Sequence, residues 1–142
     1  MVRLVLDTHI LISSLLRKHT APYMLYWAWR DGRFDLVTLQ PQLDELRRVL
    51  TYCKLQRYVQ PEEVQYLLTG IGTYALCVPD IPEVDYSSDP DDNRIIATAI
   101  AGHAQYLVSG DKSDSLTLKA VGGIQMVTAR QALDVLSMGH GS

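Results

Sequence analysis

Hydrophobic positions along this chain fall in short blocks whose spacing alternates between strand-like and helix-like. Val2 to Leu6 is an apolar run broken only by Arg3 and ended by Asp7. A short run without strict polar alternation suits a strand covered on both faces of a parallel sheet. Ile10 to Leu16 reads as a helix. A second helix starts near Ala21-Pro22, with proline in its first turn, runs through Trp29 and stops at Asp31-Gly32. Phe34 to Leu39 reads as a second strand. After Pro41, the residues Leu43, Leu46, Val49 and Leu50 make a helical stripe. Pro61-Glu62-Glu63 opens another helix, expected to end near Gly70 or Gly72. Leu76 to Val78 is a short strand, and the proline-, serine- and acid-rich stretch from Pro79 to Asp89 is a loop. Asp89-Pro90 starts a helix through Ala101, closed by Gly102. Ala104 to Ser109 and Ile124 to Val127 are strands, and Ala129 to Leu136 is a last helix. This alternation predicts an α/β fold with a central parallel sheet and helices on both faces. In such sheets, functional residues gather beyond the C-terminal ends of the strands.

Composition narrows the setting. The 142 residues are expected to form a single domain, residues 1–142. At 47% hydrophobic and 20% charged, the chain can bury a core and is not a disordered tail. Its two cysteines, Cys53 and Cys77, have neither disulfide-framework nor metal-finger spacing, which points to reduced thiols. No apolar run approaches the ~18 residues of a membrane span, and no secretory leader is read at the start. The expected location is therefore cytoplasmic, with no membrane partner. A net charge of −3 excludes a uniformly basic nucleic-acid binder but leaves room for a local basic surface.

Two strands end on an aspartate. The first delivers Asp7, and the strand through Ser109 delivers Asp111 after one glycine. Such residues often serve as turn formers or helix caps. At about 100° per residue, Asp92 shares a face with Ile95, Ile96 and Ala99, so it is expected to point inward. Capping explains Asp89 and Asp91 well, but not an acid at an inward position. Glu45 sits about 40° beyond Val49, at the edge of its helix's apolar arc, whereas Asp44 looks solvated. If Asp7, Glu45, Asp92 and Asp111 converge, their mutual repulsion calls for a counter-charge. A hard divalent cation, Mg²⁺ or Mn²⁺, suits an all-carboxylate set, and no Cys or His pair is spaced to compete for zinc. Carboxylate-held Mg²⁺ or Mn²⁺ is a common arrangement for phosphodiester chemistry.

Four segments together resemble the PIN-domain family, close to the VapC-like ribonuclease toxins of bacterial toxin–antitoxin pairs. They are Leu4-Val5-Leu6-Asp7-Thr8, Leu43-Asp44-Glu45-Leu46 with Val49-Leu50, Asp92-Asn93-Arg94-Ile95-Ile96-Ala97-Thr98-Ala99, and Leu107-Val108-Ser109-Gly110-Asp111. The resemblance spans nearly the whole chain. It implies a PIN-like three-layer sandwich, a metal-dependent ribonuclease, an RNA substrate, a protein antitoxin and a homodimer. It implies that Asp7, Glu45, Asp92 and Asp111 are both the catalytic and the metal-binding acids. There are departures. His9 stands where the family often has Asn, and Ser113 stands where many members have a further acid, with Asp114 one residue later. Thr8, His9, Asp89, Arg94, Ser109, Lys112 and Asp114 are candidates for support of the site or for substrate contact.

Setting aside the four acids leaves a nearly neutral remainder. Arg17-Lys18, Arg47-Arg48, Lys54, Arg57, Arg94 and Lys112 offer a phosphate track, with Arg94 and Lys112 beside the proposed site. Tyr23, Tyr26, Trp27 and Trp29 cluster in the second helix. Packing in a core or an oligomer interface is the expected role, with base stacking as the alternative. Two rival functions remain. One is a noncatalytic RNA- or protein-binding module on the same fold. The other is a phosphatase with an aspartyl nucleophile, which is disfavoured because His9 occupies the place where that chemistry wants a second acid.

Overall fold

A computed structural model describes residues 1–109 and 120–140. Its elements are β1 (Arg3–Leu6), α1 (Thr8–Leu16), α2 (Ala21–Arg30), β2 (Asp35–Leu39), α3 (Gln40–Leu50), α4 (Cys53–Gln56), α5 (Pro61–Tyr74), β3 (Leu76–Val78), α6 (Pro90–Ala101), β4 (Tyr106–Val108), β5 (Ala120–Val121), β6 (Ile124–Val127) and α7 (Ala129–His140). The strands form one sheet in the order β3-β2-β1-β4-β6-β5. β3 through β6 in that order pair in parallel, and β5 closes the far edge antiparallel to β6.

β1 lies between β2 and β4, with Leu4 opposite both Leu36 and Tyr106. Its side chains alternate between two separate cores, as the strand period requires. Leu4 and Leu6 face a larger core built with Ile10, Leu25, Leu43, Leu46, Leu67 and Leu136, so α1, α2, α3, α5 and α7 cover that face. Val5 faces the other way, where Val37 and Leu107 meet Ile96 and Ala99 of α6. The result is a three-layer α/β sandwich with helices on both faces, as the alternation of elements predicts.

Local chemistry sets the boundaries. Asp7 caps α1 and starts it at Thr8, earlier than the apolar run alone indicates. Proline occupies the first turn of α2, α3, α5 and α6, where its missing N–H costs nothing. α5 does not stop at Gly70 or Gly72 but continues to Tyr74. A mid-helix glycine costs roughly 1 kcal/mol, and the buried Leu67, Leu68 and Ile71 outweigh that. Gly70 also has a packing role: a Cβ there would run into the Arg30 guanidinium. That guanidinium lies 4.1 Å from the Tyr66 ring centroid. β5, which the apolar pattern leaves out, is joined to β6 by Gly122-Gly123, both at positive φ. Two such glycines between antiparallel strands form a type I′ hairpin turn.

The aromatic cluster of α2 divides. Tyr26 and Trp29 are in the core, whereas Trp27 is 43% exposed. The Tyr26 hydroxyl is buried with no hydrogen-bond partner among the described residues. Burial pushes it up to about 12, against the opposing charge of Arg30. Among the described residues, no helix is long and apolar enough to cross a membrane.

Candidate active site

The C-terminal end of β1 presents Asp7. Its N–H donates to the Val108 carbonyl at 2.9 Å, carrying the β1–β4 ladder one step past the strand. Its carboxylate accepts from the His9 N–H at 3.4 Å, and His9 Nδ1 lies 3.7 Å from the same oxygen. Capping and a place in the cleft are therefore compatible: 30% of the Asp7 side chain remains exposed. His9 stands at the rim with its side chain 85% exposed.

α3 begins directly from β2, with no side-chain cap and with Pro41 in its first turn. Leu43, Leu46 and Leu50 are buried, which turns Glu45 to the cleft side of the helix. Asp44 is on the solvated side, accepting from Gln40 Nε2 at 2.9 Å and standing 3.7 Å from Arg47.

α6 brings the third acid. Asp89 caps the helix by accepting from the Asp91 N–H at 2.9 Å. Asp92 accepts from Ser87 Oγ at 3.2 Å. The expectation that Asp92 points inward is corrected: it is exposed, Ile95 is half-buried, and full burial begins only at Ile96. The first turn of α6 borders the cleft, with Asp89, Asp91 and Asp92 in its lining. Asp92 therefore faces an open cleft rather than the core, which removes the desolvation cost of an inward carboxylate.

These elements enclose a cleft of about 190 Å³ beyond the C-terminal strand ends. Asp7, Glu45 and Asp92 line it, as do Thr8, His9, Asp89 and Arg94. Sequence reasoning missed Asp91, Gln42 and Thr98, which line it too. Gln42 carried a signal: it precedes Glu45 by three residues and so shares its helix face. Ser109 lies at the end of β4, where its N–H donates to the Val127 carbonyl at 3.0 Å, and it is not part of the lining. Asp111, Lys112, Ser113 and Asp114 lie outside the described residues.

Among the described residues, five carboxylates and one guanidinium, that of Arg94, line the cleft. Such a wall attracts cations, and the N-terminus of α6 partly offsets the acids of its first turn. Three other members of the expected phosphate track, Lys18, Arg47 and Arg48, are engaged elsewhere. Lys18 pairs with Glu63 at 3.6 Å, and Arg48 donates to the Tyr52 hydroxyl at 2.8 Å. Arg94 forms no ion pair among the described residues.

The chain matches the PIN domain family over residues 3–113, and it belongs to that family. A comparison with curated proteins found no match. The PIN domain is generally a nuclease fold, and PIN nucleases generally use divalent metals. Among the described residues, no three His, Cys, Asp or Glu side chains stand close enough together to hold a metal ion. The donor chemistry nevertheless fits one. The acidic groups are oxygen donors from three separate elements, and among the described residues His9 lines the cleft without a second nitrogen or sulfur ligand beside it. That set suits Mg²⁺ or Mn²⁺.

Proposed function

We propose that the protein is a divalent-metal-dependent endoribonuclease, hydrolysing RNA phosphodiesters as the toxin of a toxin–antitoxin pair. The observation that carries this reading is the meeting of Asp7, Glu45 and Asp92, from β1, α3 and α6, in one cleft at the sheet's C-terminal edge. With Asp111 they form the acid set that would hold Mg²⁺ or Mn²⁺. Such an ion supplies Lewis-acid charge, lowering the pKa of water and stabilising the phosphoryl oxygens. The protein's own groups do the rest. Arg94, without an ion pair among the described residues of an acidic wall, takes the phosphate of the incoming strand and offsets the repulsion between two anions. His9 contacts the RNA at the rim, and Asp89 keeps its capping role. A phosphate contact such as that of Arg94 reads little sequence, so selectivity comes from RNA shape or splayed bases. An antitoxin protein would act by covering the same cleft, and the exposed Met24 and Trp27 on α2 suit pairing with a second copy.

The test is cleavage of a mixed single-stranded RNA pool in Mn²⁺, with EDTA and Asp92→Asn in parallel. The expected result is cleavage by the wild type that falls to background in both controls. Cleavage that persists in EDTA or in Asp92→Asn overturns the reading. Wild-type RNA binding with no turnover in any divalent metal replaces it with a noncatalytic module.

A further inference from the structure

The β1–β2 ladder runs from Arg3↔Asp35 to Val5↔Val37. Past that rung the two chains part, β1 toward Asp7 and β2 toward α3. Gln42 bridges them where the ladder ends. Its Nε2 donates to the Leu6 carbonyl at 2.8 Å, and its Oε1 accepts from Thr38 Oγ1 at 3.1 Å. The Leu6 carbonyl can only accept, so the orientation of the amide is fixed by its partners. Leu6 and Thr38 are both buried, and the two bonds to the half-buried Gln42 side chain are partly covered.

Gln42 thus joins the residue before Asp7 to the helix turn that carries Glu45. We infer that Gln42 is the positioning residue that sets the spacing of the Asp7 and Glu45 carboxylates. This rests on the metal-site reading above. Each end of the amide makes one bond to protein, which ties Gln42 to the backbone before Asp7 and to β2; an unchanged KM for RNA in the test below separates this positioning role from a direct contact with substrate. Removing the amide leaves the flanking apolar contacts of α3, Leu43 and Leu46, in place. The fold persists while the end of β1 and the first turn of α3 lose their tie. Partners of this kind around metal ligands typically contribute 10–100-fold in metal affinity.

The test is Mn²⁺ binding to the purified full chain, followed by electron paramagnetic resonance without RNA, with circular dichroism to confirm folding. Gln42→Met keeps the length and removes both hydrogen bonds. It is expected to raise the Mn²⁺ Kd on the order of tenfold, leave the KM for RNA unchanged, and recover kcat at saturating Mn²⁺. Thr38→Val, an isosteric change inside β2, should move the Kd in the same direction by less. Asp44→Asn, on the solvated side of α3, should leave it unchanged. A folded Gln42→Met that binds Mn²⁺ as tightly as the wild type overturns the role of Gln42. If Gln42→Met does not fold, Thr38→Val decides, and an unaltered Kd there overturns it equally. A wild type that binds Mn²⁺ no better than Asp7→Asn overturns the metal-site reading itself.

Discussion

The carboxamide of Asn93 holds the backbone of Ser87 at both its N–H and its C=O. Asn93 Oδ1 accepts from the N–H of Ser87 at 2.9 Å and of Tyr86 at 3.0 Å, and Nδ2 donates to the Ser87 carbonyl at 2.8 Å. Ser87 Oγ in turn donates to Asp92 and accepts from the Asp89 N–H at 3.1 Å. One amide on α6 therefore fastens the irregular chain before it and, through Ser87, steadies two acids of the cleft.

Asn93→Ala should release that segment while the sheet stays intact. Two of the three bonds are half-buried and the one from the Tyr86 N–H is exposed, so the expected cost is about 1–2 kcal/mol of global stability. Hydrogen exchange in residues 79–89 should accelerate, with β1 and β4 unchanged. Unaltered exchange in that segment would show that other contacts hold it.

Gly102 closes α6 where the helix passes over β2. A Cβ there would drive into the side chain of Val37, and the Gly102 carbonyl accepts from Arg3 Nη1 at 2.9 Å. Gly102→Ala should cost about 1–3 kcal/mol, the usual range for overpacking, and lower the Tm. In a Val37→Ala background the same change should cost less, because the obstructing methyls are gone. Equal costs in the two backgrounds would contradict the contact.

Tyr26 makes stability fall at high pH. Its hydroxyl ionises near pH 10.0 when unfolded and at about 12 when buried. Between those values the unfolded chain has lost a proton that the native state still holds, so stability falls as pH rises. The contribution is complete below pH 10 and declines by on the order of 2 kcal/mol by pH 12. Tyr26→Phe should flatten this decline in urea unfolding measured from pH 9 to 12, with little change at pH 7. A parallel decline in both proteins would place the alkaline sensitivity elsewhere.

Much of this architecture is legible in the chain because its signals are local. A strand ending on Asp7, a proline in a helix's first turn and a capping Asp89 each act within a few residues. Glu45 is legible for the same reason, since the apolar stripe of α3 fixes its direction. Asp92 shows where such reasoning stops. Helical angles give the side of α6 it occupies but not where along the helix burial begins, and full burial begins only at Ile96. α5 passed through two glycines because the burial that sustains it comes from distant elements. Gln42 was overlooked since its partners, Leu6 and Thr38, become neighbours only when β1 and β2 align. Tyr26 and Trp27 are adjacent in an aromatic cluster yet have opposite fates, decided by what packs on α2.

The place of β1 in the sheet also sets a timetable. Asp7 is synthesised well before part of its own sheet: the strand that carries it lies between one neighbour that follows soon after, β2, and another, β4, that ends at Val108. On the ribosome β1 must wait for roughly a hundred further residues, through β4, before both its edges are paired. The cleft is a late product of translation, and a chain cut short before β4 carries Asp7, Glu45 and Asp92 without the strand that pairs the far edge of β1.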